Sequence, residues 1–302
     1  MKRFNEKQLF AILLFVGMIF WGGSWPSSKI LTQYTSTEVI TFWRFFFALL
    51  TFVPIVFALK VPLRLTPSSL KYLLLASFFN SLYSILFFTG LRFGFAGAGG
   101  VLVTTLIPVF AYLLSYWLYS NPLEKHEVSG LVLGLISGLF LLNLSHYGDL
   151  LGGGNLFFVA SALSWASLTL ATQKIRHEVH PVAINFYTTL FSVITYAPLF
   201  LWNTNMMEIG SFDGWFWGNL LFVSCLSTAF GTTIYYQAIS IVGASKASTF
   251  GLMVPVNALL LSWLFLGETP THETLIGGSL AILAIYLINL YRPSHLQRFR
   301  RR

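Results

Sequence analysis

The chain has 302 residues, of which 18 are basic and 10 acidic; 56% are hydrophobic and the net charge is +8. Charged residues make up 9%, against about 25% in an ordinary soluble domain. So few charges cannot cover the surface of a water-soluble protein of this size, which argues against a soluble enzyme, a disordered chain and a nucleic-acid binder. The single Cys225 leaves no internal disulfide and no cysteine-rich metal site.

A membrane-crossing helix needs about 20 mostly apolar residues, and ten such stretches follow one another. The first, 9–31, is too long for a signal-peptide core and the pattern continues after it, so it reads as a span. It carries Trp21 near its centre, then Pro26, and Lys29 at its far end. The second, 37–59, places Arg44 about 10 Å below the boundary at 1.5 Å per residue. A charge at that depth costs from about 2.5 kcal/mol upward, so it is functional by default and needs a partner. Two roles fit Arg44: attraction of a substrate carboxylate, or a structural lock that snorkels outward to Glu268, Glu273 or free carbonyls. Lys29 reads as a snorkelling cation, or as an outer gate with an acid such as Asp149 or Glu268.

The third stretch, 69–91, offers Asn80, Ser81, Tyr83 and Ser84, and the fourth, 97–119, is interrupted by Pro108. The fifth, 127–143, carries Gly130, Gly134 and Gly138 in a GxxxGxxxG stripe that lets helices approach closely. Its expected use is packing within one chain, as a monomer; the alternative is a homodimer. The sixth, 153–174, holds Trp165 with Ser164, Ser167 and Thr169, and the seventh is 181–201. The eighth, 215–238, is rich in hydroxyls at Ser224, Ser227, Thr228, Thr232 and Thr233. The ninth, 244–266, contains Thr249, Pro255 and Asn257, and the tenth is 274–291.

Proline within a span frees the carbonyl four residues earlier, here those of Gly22, Thr104 and Gly251. Such backbone must be buried in protein or face a watery cavity. The hydroxyls have a plainer use, bonding between helices. Asn80 and Asn257 are stronger site candidates, because an unpaired amide is costly in an apolar medium. Trp21 and Trp165 sit centrally, away from the interfacial belt, and fit the apolar wall of a cavity as well as they fit packing.

Orientation follows from the basic residues in the connections. With the N-terminus inside, 15 of the 18 fall on the inner side, Lys60, Arg64, Lys125, Lys174, Lys246 and the run Arg298, Arg300, Arg301, Arg302 among them. Six of the ten acids fall outside, including Glu38, Asp149, Asp213 and Glu268. Both ends are therefore expected in the cytoplasm, with the basic tail against anionic lipid.

The chain also repeats. Sliding it by 147 residues pairs Pro108 with Pro255, Ser77 with Ser224, Ala96 with Gly243 and Gly130 with Gly277; sliding by 144 pairs Trp21 with Trp165 and Arg44 with Thr188. Five spans per copy force the second copy upside down. The expected fold is an all-α membrane protein of ten transmembrane helices in two inverted five-helix repeats, 1–145 and 146–302. Inverted repeats are a signature of secondary transporters, with the site where matched helix interruptions meet.

The stretches FWGGSWPSSK at 20–29, FWRFFFALL at 42–50, LIPVF at 106–110 and VPVNALLLSWLFLGE at 254–268, in this order, resemble the drug/metabolite transporter superfamily in its EamA-type ten-helix branch. One departure is Pro26, where relatives often carry a small or polar residue. The resemblance implies export or exchange of small metabolites, amino acids included, without ATP hydrolysis. It also implies a cavity walled by spans one, three, four, six, eight and nine, which the distribution of polar groups indicates independently. The candidate substrate-binding residues are Trp21, Asn80, Tyr83, Ser84, Pro108, Trp165, Ser227, Thr228, Pro255 and Asn257, with Lys29 and Arg44 as gating or structural charges.

No acid lies deep in a span, and all six histidines fall in connections, at span ends or in the tail. Transport is therefore expected without an intramembrane carboxylate, in the inner membrane, with no metal or cofactor. Paired Asp, HExxH and a GxxxxGK[ST] loop are all missing, which argues against an enzyme or an ATP-driven pump. The alternatives are a channel-like facilitator, or a carrier of drugs or other organic anions.

Overall fold

The computed structural model describes residues 6–119, 124–141, 154–235, 237, 250–251 and 253–289. Asp149, Gly243, Lys246, Thr249 and the basic tail lie outside these residues. Every regular element among the described residues is helical. The helices are α1 (Glu6–Leu31), α2 (Thr37–Ala58), α3 (Pro67–Phe93), α4 (Ala96–Tyr119), α5 (Lys125–Leu141), α6 (Asn155–Ile175) and α7 (Pro181–Tyr196). Two 3-10 segments, Ala197–Leu201 and Thr204–Ser211, follow α7. Helix α8 starts at Gly214–Leu221, widens into a π-helix over Phe222–Gly231 and is α-helical again through 232–235. Two more are α9 (Met253–Leu266) and α10 (His272–Asn289).

Six of these, α1, α2, α3, α4, α6 and α7, are long and apolar enough to cross a membrane; α9 and α10 are apolar but shorter. The eighth span differs most from expectation, because it is not one continuous α-helix.

Local chemistry fixes the boundaries. At α3, Thr66 Oγ1 accepts the Ser69 amide (3.1 Å) while Ser69 Oγ accepts the Thr66 amide (2.8 Å), a reciprocal cap followed by Pro67 in the first turn. At α7, His180 Nδ1 accepts the Val182 amide ahead of the same proline signal. At α8, Asp213 Oδ1 accepts the Phe216 amide (2.9 Å), and both its oxygens accept from the Tyr34 hydroxyl (2.9 and 3.1 Å). The Phe216 amide and the Tyr34 hydroxyl hold the Asp213 carboxyl below its ordinary value of 3.8. A lowered carboxyl adds stability above that value and loses it as pH falls through the folded one. Melting wild type and Asp213→Ala between pH 6 and pH 3 should therefore show a difference at pH 6 that closes under acid; a constant difference would contradict this.

The packing has a regular plan. Helix α1 lies on α9 as α6 lies on α4, and α3 lies on α6 as α8 lies on α1. Three pairs five elements apart pack on each other directly: α2 with α7, α4 with α9, and α5 with α10. Each runs antiparallel. In α4 and α9, Gly97 meets Leu259 and Ser262 while Gly100 meets Ala258. In α5 and α10, Gly134 faces Ala284 and Leu141 faces Gly277, with Ser137 Oγ donating to the Gly277 carbonyl (2.7 Å). In α2 and α7, Phe45 stacks on Tyr196 at one end, and Val56 joins Val182 and Ala183 in one cluster at the other.

The two ends of the bundle are built differently. At the end carrying residues 32–36, 94–95 and 202–213, one buried cluster unites both halves of the chain. It draws Leu31 from α1, Phe42 and Phe45 from α2, Phe87 and Leu91 from α3, Phe158 from α6, Tyr196 from α7 and Phe216 from α8. At the opposite end the buried residues form separate clusters. One joins Val56, Leu73, Ile175 and Val182 of α2, α3, α6 and α7; another joins Leu14, Met18 and Val254 of α1 and α9. The first end is sealed and the second is split.

The glycine stripe of α5 is used inside the chain. A Cβ at Gly134 would meet Val109 Cγ2 at 2.8 Å, and one at Gly138 would meet Leu106.

Candidate functional site

The polar residues of the sequence reading fall mid-bundle, where the sealed core gives way to the split end. On α3, Asn80 Nδ2 and Ser81 Oγ both donate to Ser192 Oγ of α7, at 3.3 and 3.1 Å, and the Tyr196 hydroxyl donates to the Ser81 carbonyl at 2.9 Å. Ser192 is a partner the sequence reading missed. Its signal was present, since Thr188 and Ser192 lie one turn apart on α7, but the seventh span was not among the proposed walls. Tyr83, one turn on from Asn80, packs edge-on against Trp165 of α6 with ring centroids 4.7 Å apart. Both keep partial exposure.

On the other side, Trp21 Nε1 donates to the Ser227 carbonyl (3.0 Å), and its ring lies 5.3 Å from that of Tyr235. Gly231 makes this approach feasible, because a Cβ there would fall 2.8 Å from Trp21 Nε1. Asn257 Nδ2 donates to the Met18 carbonyl (3.3 Å), beside Gly22. Asn80 and Asn257 each tie two helices together.

The prolines separate. Pro108 is partly exposed in α4, with Thr104 Oγ1 donating to the Gly100 carbonyl (2.7 Å) and Thr105 Oγ1 to the Val101 carbonyl (2.7 Å). Pro255 instead lines a 240 Å³ groove with Val101 of α4, Trp263 of α9 and Leu275 of α10. That groove lies on a different flank of α9 from the side where Asn257 meets α1. Pro26 lines a second groove, of 410 Å³, with Phe20, Trp215, Phe222 and Phe265. Both grooves are apolar, on the flanks of the bundle.

Lys29 has Glu268, one of the acids expected for it, as an electrostatic neighbour, and both Lys29 and Arg44 also take partners that the sequence did not name. Lys29 Nζ donates to the carbonyls of Leu91 and Gly94 (the latter 2.9 Å), at the end of α3. Glu268 receives the Ala96 amide (3.0 Å) on one oxygen and the Gly97 amide (2.9 Å) on the other, so it caps the start of α4. The expected ion pair of Arg44 with Glu268 or Glu273 is corrected: Nε and Nη1 of the guanidinium are buried without a hydrogen-bond partner, and Nη2 meets a hydroxyl. Outward snorkelling would carry the guanidinium into the sealed aromatic core, where the rings of Phe45, Phe87 and Phe88 already surround it at 5.8–6.0 Å. Its Nη2 points across to α8 and donates to Thr228 Oγ1 (3.3 Å).

The π-helix presents Thr228. Its hydroxyl donates to the Val223 carbonyl five residues back (2.8 Å), so an oxygen lone pair is left for Arg44. Widened turns of this kind recur at functional sites. Hydrophobic period and composition carry no sign of it, since Phe222–Gly231 reads as part of one hydroxyl-rich span.

The sequence pattern of the EamA-like transporter family matches twice, at residues 8–144 and 152–290. The uncharacterized transporters YyaM and YvbV of Bacillus subtilis are 23% and 28% identical; the alignments cover 91% and 92% of this chain and 91% of each relative. A probable amino-acid metabolite efflux pump of Salmonella typhimurium is 25% identical, over 94% of this chain and 95% of that one. A solved crystal structure, 17% identical, superposes with a TM-score of 0.62 over 97% of this chain and 99% of that one, which shows the shared fold. With the family pattern spanning both halves and six helices fit to cross a bilayer, the chain is a multi-pass membrane protein that belongs to the EamA-like transporter family.

Proposed function

We propose that the chain is a ten-span secondary transporter that exports or exchanges a small amphipathic metabolite, such as an amino acid, by alternating access. Its two units, 1–145 and 146–302, are inverted repeats in the cytoplasmic membrane, with both termini inside. The observation that carries the reading is the antiparallel packing of helices five apart, combined with a family pattern that matches each half. The difference between the ends of the bundle supports the mechanism. One end is closed by a core shared between halves and the other is divided, as in a carrier caught facing one side. The charge bias makes the sealed end the outer one.

The middle of the bundle supplies aromatic faces at Trp21, Tyr83 and Trp165 and polar groups at Asn80, Thr228 and Asn257. That combination fits a solute with an apolar body and a polar head. Coupling does not run through an intramembrane carboxylate, because the described spans hold none near their centres.

Purified protein in proteoliposomes tests the reading. Saturable uptake of a labelled amino acid, accelerated when the same amino acid is inside, is the expected result. Unitary current steps, or flux linear in concentration across the family's substrate range, would contradict it.

A further inference from the structure

The proposed transport reading leaves one group unexplained, the Arg44 guanidinium. It is permanently charged, yet Nη2 alone has a hydrogen-bond partner, the neutral Thr228 hydroxyl. Its Nε and Nη1 are out of contact with solvent and have no partner. Three of the five guanidinium N–H bonds sit on these two nitrogens. Three ring faces surround the group, and ring faces do not replace acceptors for N–H bonds. An uncompensated charge away from water is strongly unfavourable, and a resident acid is the usual remedy. Here no described acid provides one.

The surroundings are short of acceptors in the same way. The hydroxyls of Thr41, one turn earlier on α2, of Ser84 on α3 and of Ser224 on α8 are buried without partners. Tyr83 and Thr228 are partly exposed, as is Arg44 itself, so the guanidinium borders the accessible side of the sealed core. Thr188, the counterpart of Arg44 in the second half, is a buried hydroxyl bonded to the carbonyls of its own helix. The cation is thus no requirement of the repeated fold.

We propose that Arg44 is the specificity residue for an anionic head group on the transported solute, a carboxylate, whose apolar body lies on the Tyr83–Trp165 ring pair. A carboxylate matches the planar fork of a guanidinium with two parallel N–H···O bonds and supplies the missing countercharge. The rings of Phe45, Phe87 and Phe88 belong to the outer core, so a solute held on Arg44 touches the surface that must part for release outward.

The test uses the full chain in nanodiscs and probes matched with and without the carboxylate: 3-phenylpropionate against 3-phenylpropionamide, and L-phenylalanine against its amide. Binding is read by calorimetry. Wild type should hold each acid about tenfold or more tighter than its amide, the scale of a charge-assisted hydrogen bond. Arg44→Gln should erase that preference and leave amide affinity within about twofold of wild type. If Arg44→Gln fails to fold, Arg44→Lys keeps the charge and removes the fork; acid affinity should then drop at least about threefold with the amide unchanged. Equal affinity of acid and amide in wild type, absence of binding by both acids, or an intact preference in the variant overturns the proposal. Counterflow of L-phenylalanine amide as fast as that of L-phenylalanine by the same wild-type preparation would show that transport stands while the carboxylate subsite falls.

Discussion

Replacing Gly22 with valine should abolish transport and cut the yield of folded protein severely. Gly22 lies where α1 crosses α9. A Cβ there would fall on Asn257 Cβ and within 3.0 Å of the Ala258 amide nitrogen and the Asn257 carbonyl carbon. Two of these three atoms are backbone, which cannot swing aside, so the helices must separate. Overpacking of this kind costs about 1–3 kcal/mol, and here it also breaks the bond from Asn257 to the Met18 carbonyl. Gly231→Val, against the flexible edge of Trp21, should cost less. Thermal melting of the two variants beside wild type checks the order; equal melting of Gly22→Val and wild type would contradict it.

The second large effect concerns the sealed end. Glu268 follows α9, yet its carboxylate takes the first two amides of α4 in the other half. A charged cap on a helix N-terminus contributes about 1–2 kcal/mol, so it tilts the equilibrium toward outer closure by roughly tenfold. Glu268→Ala should raise the population open to the outside. Ser28, buried near the outer end of α1 with its hydroxyl unpartnered, is a suitable reporter. With Ser28→Cys in a Cys225→Ser background, an impermeant maleimide should label the Glu268→Ala protein about ten times faster than its parent. Unchanged labelling would mean that the carboxylate only caps a helix.

Much of the architecture was legible because lipid imposes simple rules. Residues 37–58 and 155–175 can cross a bilayer only as helices, and their apolar runs end at polar caps or charged turns. The repeat was legible through Pro108 and Pro255 and through Trp21 and Trp165. Side-chain destinations were not. Arg44 had acids within plausible sequence reach, but which way a guanidinium turns depends on the three rings that the fold gathers around it. Glu268 looked like a counterion for Arg44, whereas it takes the vacant amides at the start of α4 and has Lys29 as its electrostatic neighbour. Asn80 was read as a cavity group, and Ser192 meets it only because α3 lies on α7. The π-helix of α8 depends on hydrogen-bond register, which leaves no mark on hydrophobic period.

Alternating access between two inverted halves is the claim on which the rest depends, and paired distances measure it directly. Spin labels at Gln33 and Ser211 straddle the halves at the sealed end; labels at Leu9 and Gln173 straddle them at the split end. All four positions are exposed. In nanodiscs, wild type should give a short outer distance and a long inner one. Glu268→Ala should add a population in which the outer pair lengthens while the inner pair shortens. Inner and outer distances that lengthen together, or that remain fixed in both proteins, would contradict the account.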